Sequence, residues 1–278
     1  MDIIEFGVGA TRIGLFGLVL GLAGCGGGGD TGGPDCRYNE NWINGQCTVN
    51  WDLTPAVIPD GIWRGTDASG ADVVALISRH NTLRYVDGIG RIGSGTVSVG
   101  TNNILGSGFE LVTAYGDTFP DGSTVADCFL SGTLVEQQSI TASKECTTRA
   151  GLEFDEQLTL TFDPLYNRSS SLATVAGQYQ TMAGDVLNIA SDGAMFLQNA
   201  STGCVINGQV STVVSFANMY GVSYSIDGCT GPDAAWNGSN FEGLAMLEGQ
   251  ISAGTLLIAL SGEVASVPVG IVEEARRL

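Results

Sequence analysis

The chain has 278 residues, 44% of them hydrophobic and only 14% charged, with 41 glycines and a formal net charge of −18. That apolar content suits one large or two small packed domains and excludes an intrinsically disordered chain, which carries few apolar residues and much charge. The acidic balance excludes nucleic acid as a partner, because phosphate binding needs clustered cations, and it disfavours close contact with anionic headgroups.

Residues 13–23 read IGLFGLVLGLA. Such a run matches the h-region of a signal peptide and is too short to span a membrane as a helix. It ends in Leu22-Ala23-Gly24-Cys25, which resembles the bacterial lipobox: a leucine, two small residues and an obligatory cysteine. The resemblance implies diacylation of the Cys25 thiol, removal of residues 1–24 and acylation of the new amino terminus. One acyl chain binds a bilayer marginally, but two or three, at about 0.8 kcal/mol per buried methylene, hold a protein there. Gly26 stands where an aspartate would resemble an inner-membrane retention signal, so the resemblance favours the outer membrane, with the body facing the periplasm or the cell surface. Residues 26–35 are mostly glycine and read as a disordered tether spanning roughly 17 Å. Asp2 and Glu5 depart from the positive n-region of a signal peptide; a start at Val8, with Arg12 as the n-region cation, restores it.

Six further cysteines follow: Cys36, Cys47, Cys128, Cys146, Cys204 and Cys229. In an exported chain they argue for disulfides and an oxidising compartment. Cys36 and Cys47 enclose the loop RYNENWINGQ. Within it, Tyr38 and Trp42 are candidate contact residues for a glycan or protein partner, being aromatics set among Asn39, Asn41 and Asn44. Packing of Trp42 on its own disulfide is the structural alternative. Folding the segment after Cys128 about Gln137 places Cys146 directly opposite, and folding near Phe216 and Ala217 does the same for Cys204 and Cys229, so pairing in chain order is expected. There is no C-x-x-C and His80 is the only histidine, so no metal site is expected.

From residue 53 onward the chain reads as strands. TVSVG, QLTLTFD and VSYSIDG alternate with period two, and Asp-Gly pairs at 60–61, 87–88, 121–122, 192–193 and 227–228 read as hairpin punctuation. Only the C-terminal VEEARRL reads as helix. Gly61-Ile62-Trp63 followed by GADVVALIS parallels Gly177-Gln178-Tyr179 followed by GDVLNIAS, and CFLSGTL at 128–134 matches CVINGQV at 204–210. These matches suggest a duplication whose halves are linked by DPLYNRSSSLATVA, 163–176. A G-x-W start before about eight short antiparallel strands resembles the lipocalin-like barrels. The second half has Tyr in place of that Trp, and no arginine is evident to cover it. GIWRGT, FPDGST, YNRSSSLA and TGCVINGQVS together are similar to a group of bacterial envelope lipoproteins; this supports the location and brings no activity or site residues.

The expected fold is therefore all-β: an antiparallel barrel or sandwich, as two tandem related units. The expected order is a signal peptide at 1–24, lipid anchor and tether at 25–35, a small disulfide loop at 36–52, a first β unit at 53–164 and a second at 165–278.

Motifs that carry chemistry are sparse. GIGRIG, 88–93, matches the dinucleotide fingerprint G-x-G-x-x-G, but SGTVSVG follows it as a strand where the motif needs a helix. His80 would have to serve any Ser-His-Asp site and reads as part of a polar loop. Glu153, Asp155 and Glu156 are the acids a hydrolase would use, and read more simply as a solvated strand entry. Asp67, Asp72, Asp227 and Asp233 read as turn residues rather than calcium ligands. Lys144 is the only lysine, a bias of composition. The expectation is an envelope lipoprotein with no catalysis and no cofactor, bound to the membrane through its lipid. Its role would be binding or structural, toward an envelope protein or a small apolar ligand inside a barrel. A carboxylate-dependent hydrolase and an accessory subunit docking to another envelope protein are the alternatives.

Overall fold

A computed structural model describes residues 57–88, 90–113 and 116–278 in full, and residues 40–43 and 46–49 as backbone. Glu40–Ile43 (β1) and Gln46–Val49 (β2) pair as an antiparallel hairpin. Eight strands follow: β3 (Gly61–Asp67), β4 (Asp72–Ile77), β5 (Thr82–Asp87), β6 (Ile92–Val99), β7 (Asn103–Leu111), β8 (Val125–Val135), β9 (Ser139–Thr148) and β10 (Glu153–Phe162). Each pairs with the next, and β10 returns to β3 to close a barrel. A second closed barrel repeats the topology with β11 (Gly177–Thr181), β12 (Val186–Ile189), β13 (Ala194–Gln198), β14 (Val205–Thr212), β15 (Tyr220–Asp227), β16 (Ser239–Glu248), β17 (Thr255–Val264) and β18 (Val267–Arg277). Closure leaves neither barrel with an unpaired edge. Barrels, and not a sandwich, are the form the two tandem units take.

Alternation builds the walls. In β9, Ile140, Ala142, Lys144 and Cys146 are buried while Thr141 and Glu145 face outward. In β15, Tyr220, Val222, Tyr224 and Ile226 point in. Several strands break this rule where they meet the other barrel. Residues 244–247 of β16, 256–260 of β17 and 75–77 of β4 are buried without interruption. One face of each fills its own barrel; the other packs against the neighbouring barrel. Ile62 and Leu76 of the first barrel join Leu244, Met246 and Leu257 of the second in one apolar cluster, and Ile92 and Leu111 meet Ala259 in another. The Gly270 N–H donates to the Val112 carbonyl across the seam at 2.8 Å. A Cβ at Gly270 would lie 1.7 Å from Ile92 Cγ2, so only glycine permits that approach.

Three sequence expectations change. VEEARRL is not a helix: it ends β18, because both β17 and β11 offer open ladders that only a strand completes. The Asp-Gly pairs at 87–88 and 192–193 lie at hairpin turns, but Gly61 of the 60–61 pair opens β3 and turns nothing. The CFLSGTL and CVINGQV match is not a structural equivalence. Cys128 lies in β8, sixth in its barrel, whereas Cys204 immediately precedes β14, fourth in its own.

The G-x-W and G-x-Y landmarks do coincide. Trp63 Nε1 donates to the Pro59 carbonyl (3.0 Å) and Tyr179 Oη to the Val175 carbonyl (2.7 Å), each four residues back. The last strand of each barrel sets one residue in register with that aromatic: Phe162 opposite Trp63, Arg277 opposite Tyr179. Phe162 meets Trp63 edge-on at 5.4 Å, and the Arg277 guanidinium lies 5.0 Å from the Tyr179 ring centroid. Among the described residues, Phe162 and not an arginine packs on Trp63, whereas Arg277 takes the corresponding place on Tyr179 in the second barrel.

Candidate functional site

Cys25, Cys36 and Tyr38 lie outside the described residues. Trp42 and Cys47 are described as backbone only, as register partners across β1 and β2. Cys128 and Cys146 are register partners in β8 and β9 and form a disulfide, with Gln137 in the turn as expected. Cys204 and Cys229 form another, flanking the hairpin of β14 and β15.

His80 is exposed in the turn between β4 and β5, and the GIGRIG glycines lead into β6. The acids of GLEFDEQ separate: Glu153 and Asp155 face solvent, while Glu156 turns inward to Lys144 at 2.7 Å. The solvated-strand-entry reading is therefore wrong for Glu156, because β10 alternates and places it in phase with Leu158 and Leu160. Asp67 caps its own turn through the Ser69 and Ala71 amides.

The barrel interiors are filled by side chains. Trp63, Val73, Ile77, Leu134, Ile140 and Leu160 pack in the first; Tyr179, Val222, Phe241, Leu256 and Ile258 pack in the second. A cavity of about 20 Å³ in the wall of the first barrel is lined by Leu83, Tyr85, Leu130 and Lys144 from the inside and by Ser94, Ser107 and Phe109 from the outside, whereas ligand pockets run to several hundred.

One end of the first barrel holds a buried charge network that sequence reading missed. Glu110 of β7 is fully buried and ion-pairs with Lys144 and, at 3.0 Å, with Arg91. Tyr85 Oη donates to Glu110 at 2.6 Å, and Lys144 Nζ lies 3.2 Å from that hydroxyl. The Tyr85 ring lies over Gly93, where a Cβ would stand 1.7 Å from it. Burial pushes the Glu110 carboxyl up, but Lys144, Tyr85 and Arg91 outweigh it and hold the group below the usual carboxylate value. Glu110 also nears the sulfurs of Cys128 and Cys146, yet these are bonded to each other and are not thiolate ligands. Glu110 and Lys144 at its centre are sealed from solvent, while Arg91 and Glu156 at its edges are partly exposed, an arrangement suited to holding the barrel end together.

The open site lies outside. Register aligns Arg84 of β5, Ser94 of β6, Phe109 of β7 and Asp127 of β8 in one outward row. A parallel row two residues along carries Thr82, Thr96, Ser107 and Phe129, and runs on to Glu145 and Asp155. Two grooves on this face share Ser107 and Asp127, and the one reaching Arg84 has a volume near 610 Å³. Phe109 and Phe129 are 51% and 48% exposed. Ser94 Oγ meets Ser261 Oγ at 3.1 Å, so the row ends at the seam between the barrels. There Arg84, only 7% exposed, donates from Nη1 to the Leu83 carbonyl, while its Nε has no hydrogen-bond partner among the described residues. Burial draws its pKa down, against the pull of Glu242 from the second barrel. A buried donor left unmet costs about 1–3 kcal/mol. The signal for this face lay in Phe109 and Phe129, apolar residues in the outward phase of β7 and β8.

No protein-family model matches the chain, and comparison with curated proteins returns no relative.

Proposed function

We propose that the protein is a lipid-anchored bacterial envelope protein that binds its ligand on the outside of its barrels and carries out no reaction. The observation that carries the binding half is the outward row from Arg84 through Phe109 to Asp127, beside barrel interiors that are already full. Exposed aromatics set among polar groups are the usual dress of a contact surface. The packed apolar interior of the first barrel counts against a carrier of small apolar ligands. The hydrolase reading loses its support as well, since Glu156 is committed to Lys144 while Glu153 and Asp155 face the opposite way. The anchor half rests on the Leu22-Ala23-Gly24-Cys25 motif after an apolar run, and the two disulfides suit an oxidising compartment.

Two measurements test this. Cells fed radioactive palmitate label the mature protein, and Cys25→Ser removes both label and membrane association; an unlabelled wild-type chain overturns the anchor. A photoreactive benzophenone side chain at position 129, irradiated in intact cells, captures an envelope component identified by mass spectrometry. Capture of nothing, or of membrane lipid alone, overturns the outer-face binding role.

A further inference from the structure

We propose that the Cys128–Cys146 disulfide masks a redox-gated zinc site. Opened by a dithiol reductant, its two sulfurs join the Glu110 carboxylate around one Zn2+, and the ion replaces the disulfide as the crosslink between β8 and β9. A carboxylate oxygen of Glu110 and both sulfurs already lie within 4.8 Å of one another. A tetrahedral ion with Zn–S bonds of about 2.3 Å holds two sulfurs roughly 3.8 Å apart. Parting the sulfurs therefore brings the three ligands onto one ion with the strand register unchanged. Among the described residues, the Cys204–Cys229 pair gathers no such third ligand, which makes it an internal control.

The surroundings suit an occupant of one atom and nothing larger. The cavity of about 20 Å³ in the barrel wall is lined by Cys128 and Lys144, and also by Gly106 and Gly108, which have no side chains to fill it. Gly108 is the register partner of Cys128 on β7. Such a space holds a single water or ion, and a water serves as the fourth ligand of an open zinc site. Glu110 keeps an acceptor position for the metal: its Oε2 takes Tyr85 and Lys144, its Oε1 takes Arg91, and a carboxylate offers about four such positions. Charge closes as well. Glu110 and Glu156 balance the Lys144 and Arg91 that touch them, so two added thiolates balance the ion. Lys144, beside the same cavity as Cys128, favours the thiolate form, and thiolates select zinc over calcium or magnesium. In the reductive step the dithiol gives two electrons and two protons to the Cys128–Cys146 bond and itself becomes a disulfide. The two thiols so formed lose their protons to solvent as Zn2+ binds.

The full-length protein, reduced with dithiothreitol and freed of it under argon, is titrated with Zn2+ by calorimetry and with Co2+ by absorption, beside the oxidised protein. The reduced protein is expected to bind an ion that gives a thiolate-to-cobalt charge-transfer band. Zn2+ should raise the urea midpoint of the reduced protein and leave that of the oxidised protein unchanged. Cys128→Ser should lose this ion, Cys204→Ser should keep it, and Glu110→Gln should weaken it at least tenfold. Cys128 is only partly buried, so its variant keeps the test decisive if Glu110→Gln does not fold. Equal binding by the oxidised protein, no rise in the reduced midpoint with Zn2+, retention of the ion in Cys128→Ser, or indifference to a folded Glu110→Gln overturns the site. Binding of Ca2+ or Mg2+ to the reduced protein as tightly as Zn2+ overturns it too.

Discussion

At the scale of single residues, the network around Glu110 shows how a charge is kept inside a barrel. Two cations and a phenol surround one carboxylate. Breaking such a set from one side strands the remaining charge, so Glu110→Gln should cost about 3 kcal/mol in urea denaturation. The double variant with Lys144→Met should cost less than the two single changes added together, because the groups interact directly. The folded Glu110 pKa is depressed, so its contribution is complete above the unfolded value of 4.5 and is lost as pH falls through the lower folded value. Glu273 has the opposite sign. Burial raises its pKa, and Asp185 and Glu274 add to that, so its ionisation costs stability as pH rises past the unfolded value. Glu273→Gln should therefore stabilise the protein at pH 7 and leave it unchanged well below pH 4.5, as thermal melts at the two pH values would show. The network was half legible: Lys144 follows Ile140 and Ala142 and precedes Cys146 in one phase of a strand. A charged residue on an apolar phase marks a buried ion pair, but its partner on β7 is 34 residues away and no local pattern names it.

Elements follow their periodicity until closure or packing overrides it. Residues 272–278 contain good helix formers, yet the barrel needs an eighth strand and the two neighbouring ladders decide the matter. The uninterrupted apolar runs LAML in β16 and LLIAL in β17 carried a second message that was readable in advance. A wall strand with one wet face alternates, and a strand without alternation is covered on both sides. Gly270→Ala tests that contact. Its methyl group would press on Ile92, and overpacking of this kind typically costs about 1–3 kcal/mol, measurable as a lower urea midpoint with an unchanged slope.

For the whole molecule, the shared clusters tie two barrels into one packed body. Calorimetry should give a single transition whose van't Hoff and calorimetric enthalpies agree, while two resolved peaks would show that the seam is weak. The disulfides span 18 and 25 residues, and opening either by paired serine replacement should cost about 3 kcal/mol of stability on the chain-entropy model. By itself the sequence determined the all-β class, the tandem organisation and both described disulfides, because alternation, turn residues and hairpin symmetry are local signals. Tertiary structure alone decided that the sheets close, that the barrels share a seam, and that Arg84, Ser94, Phe109 and Asp127 stand in one row. These depend on register between strands distant in the chain, where a slip of one residue would turn every side chain to the other face.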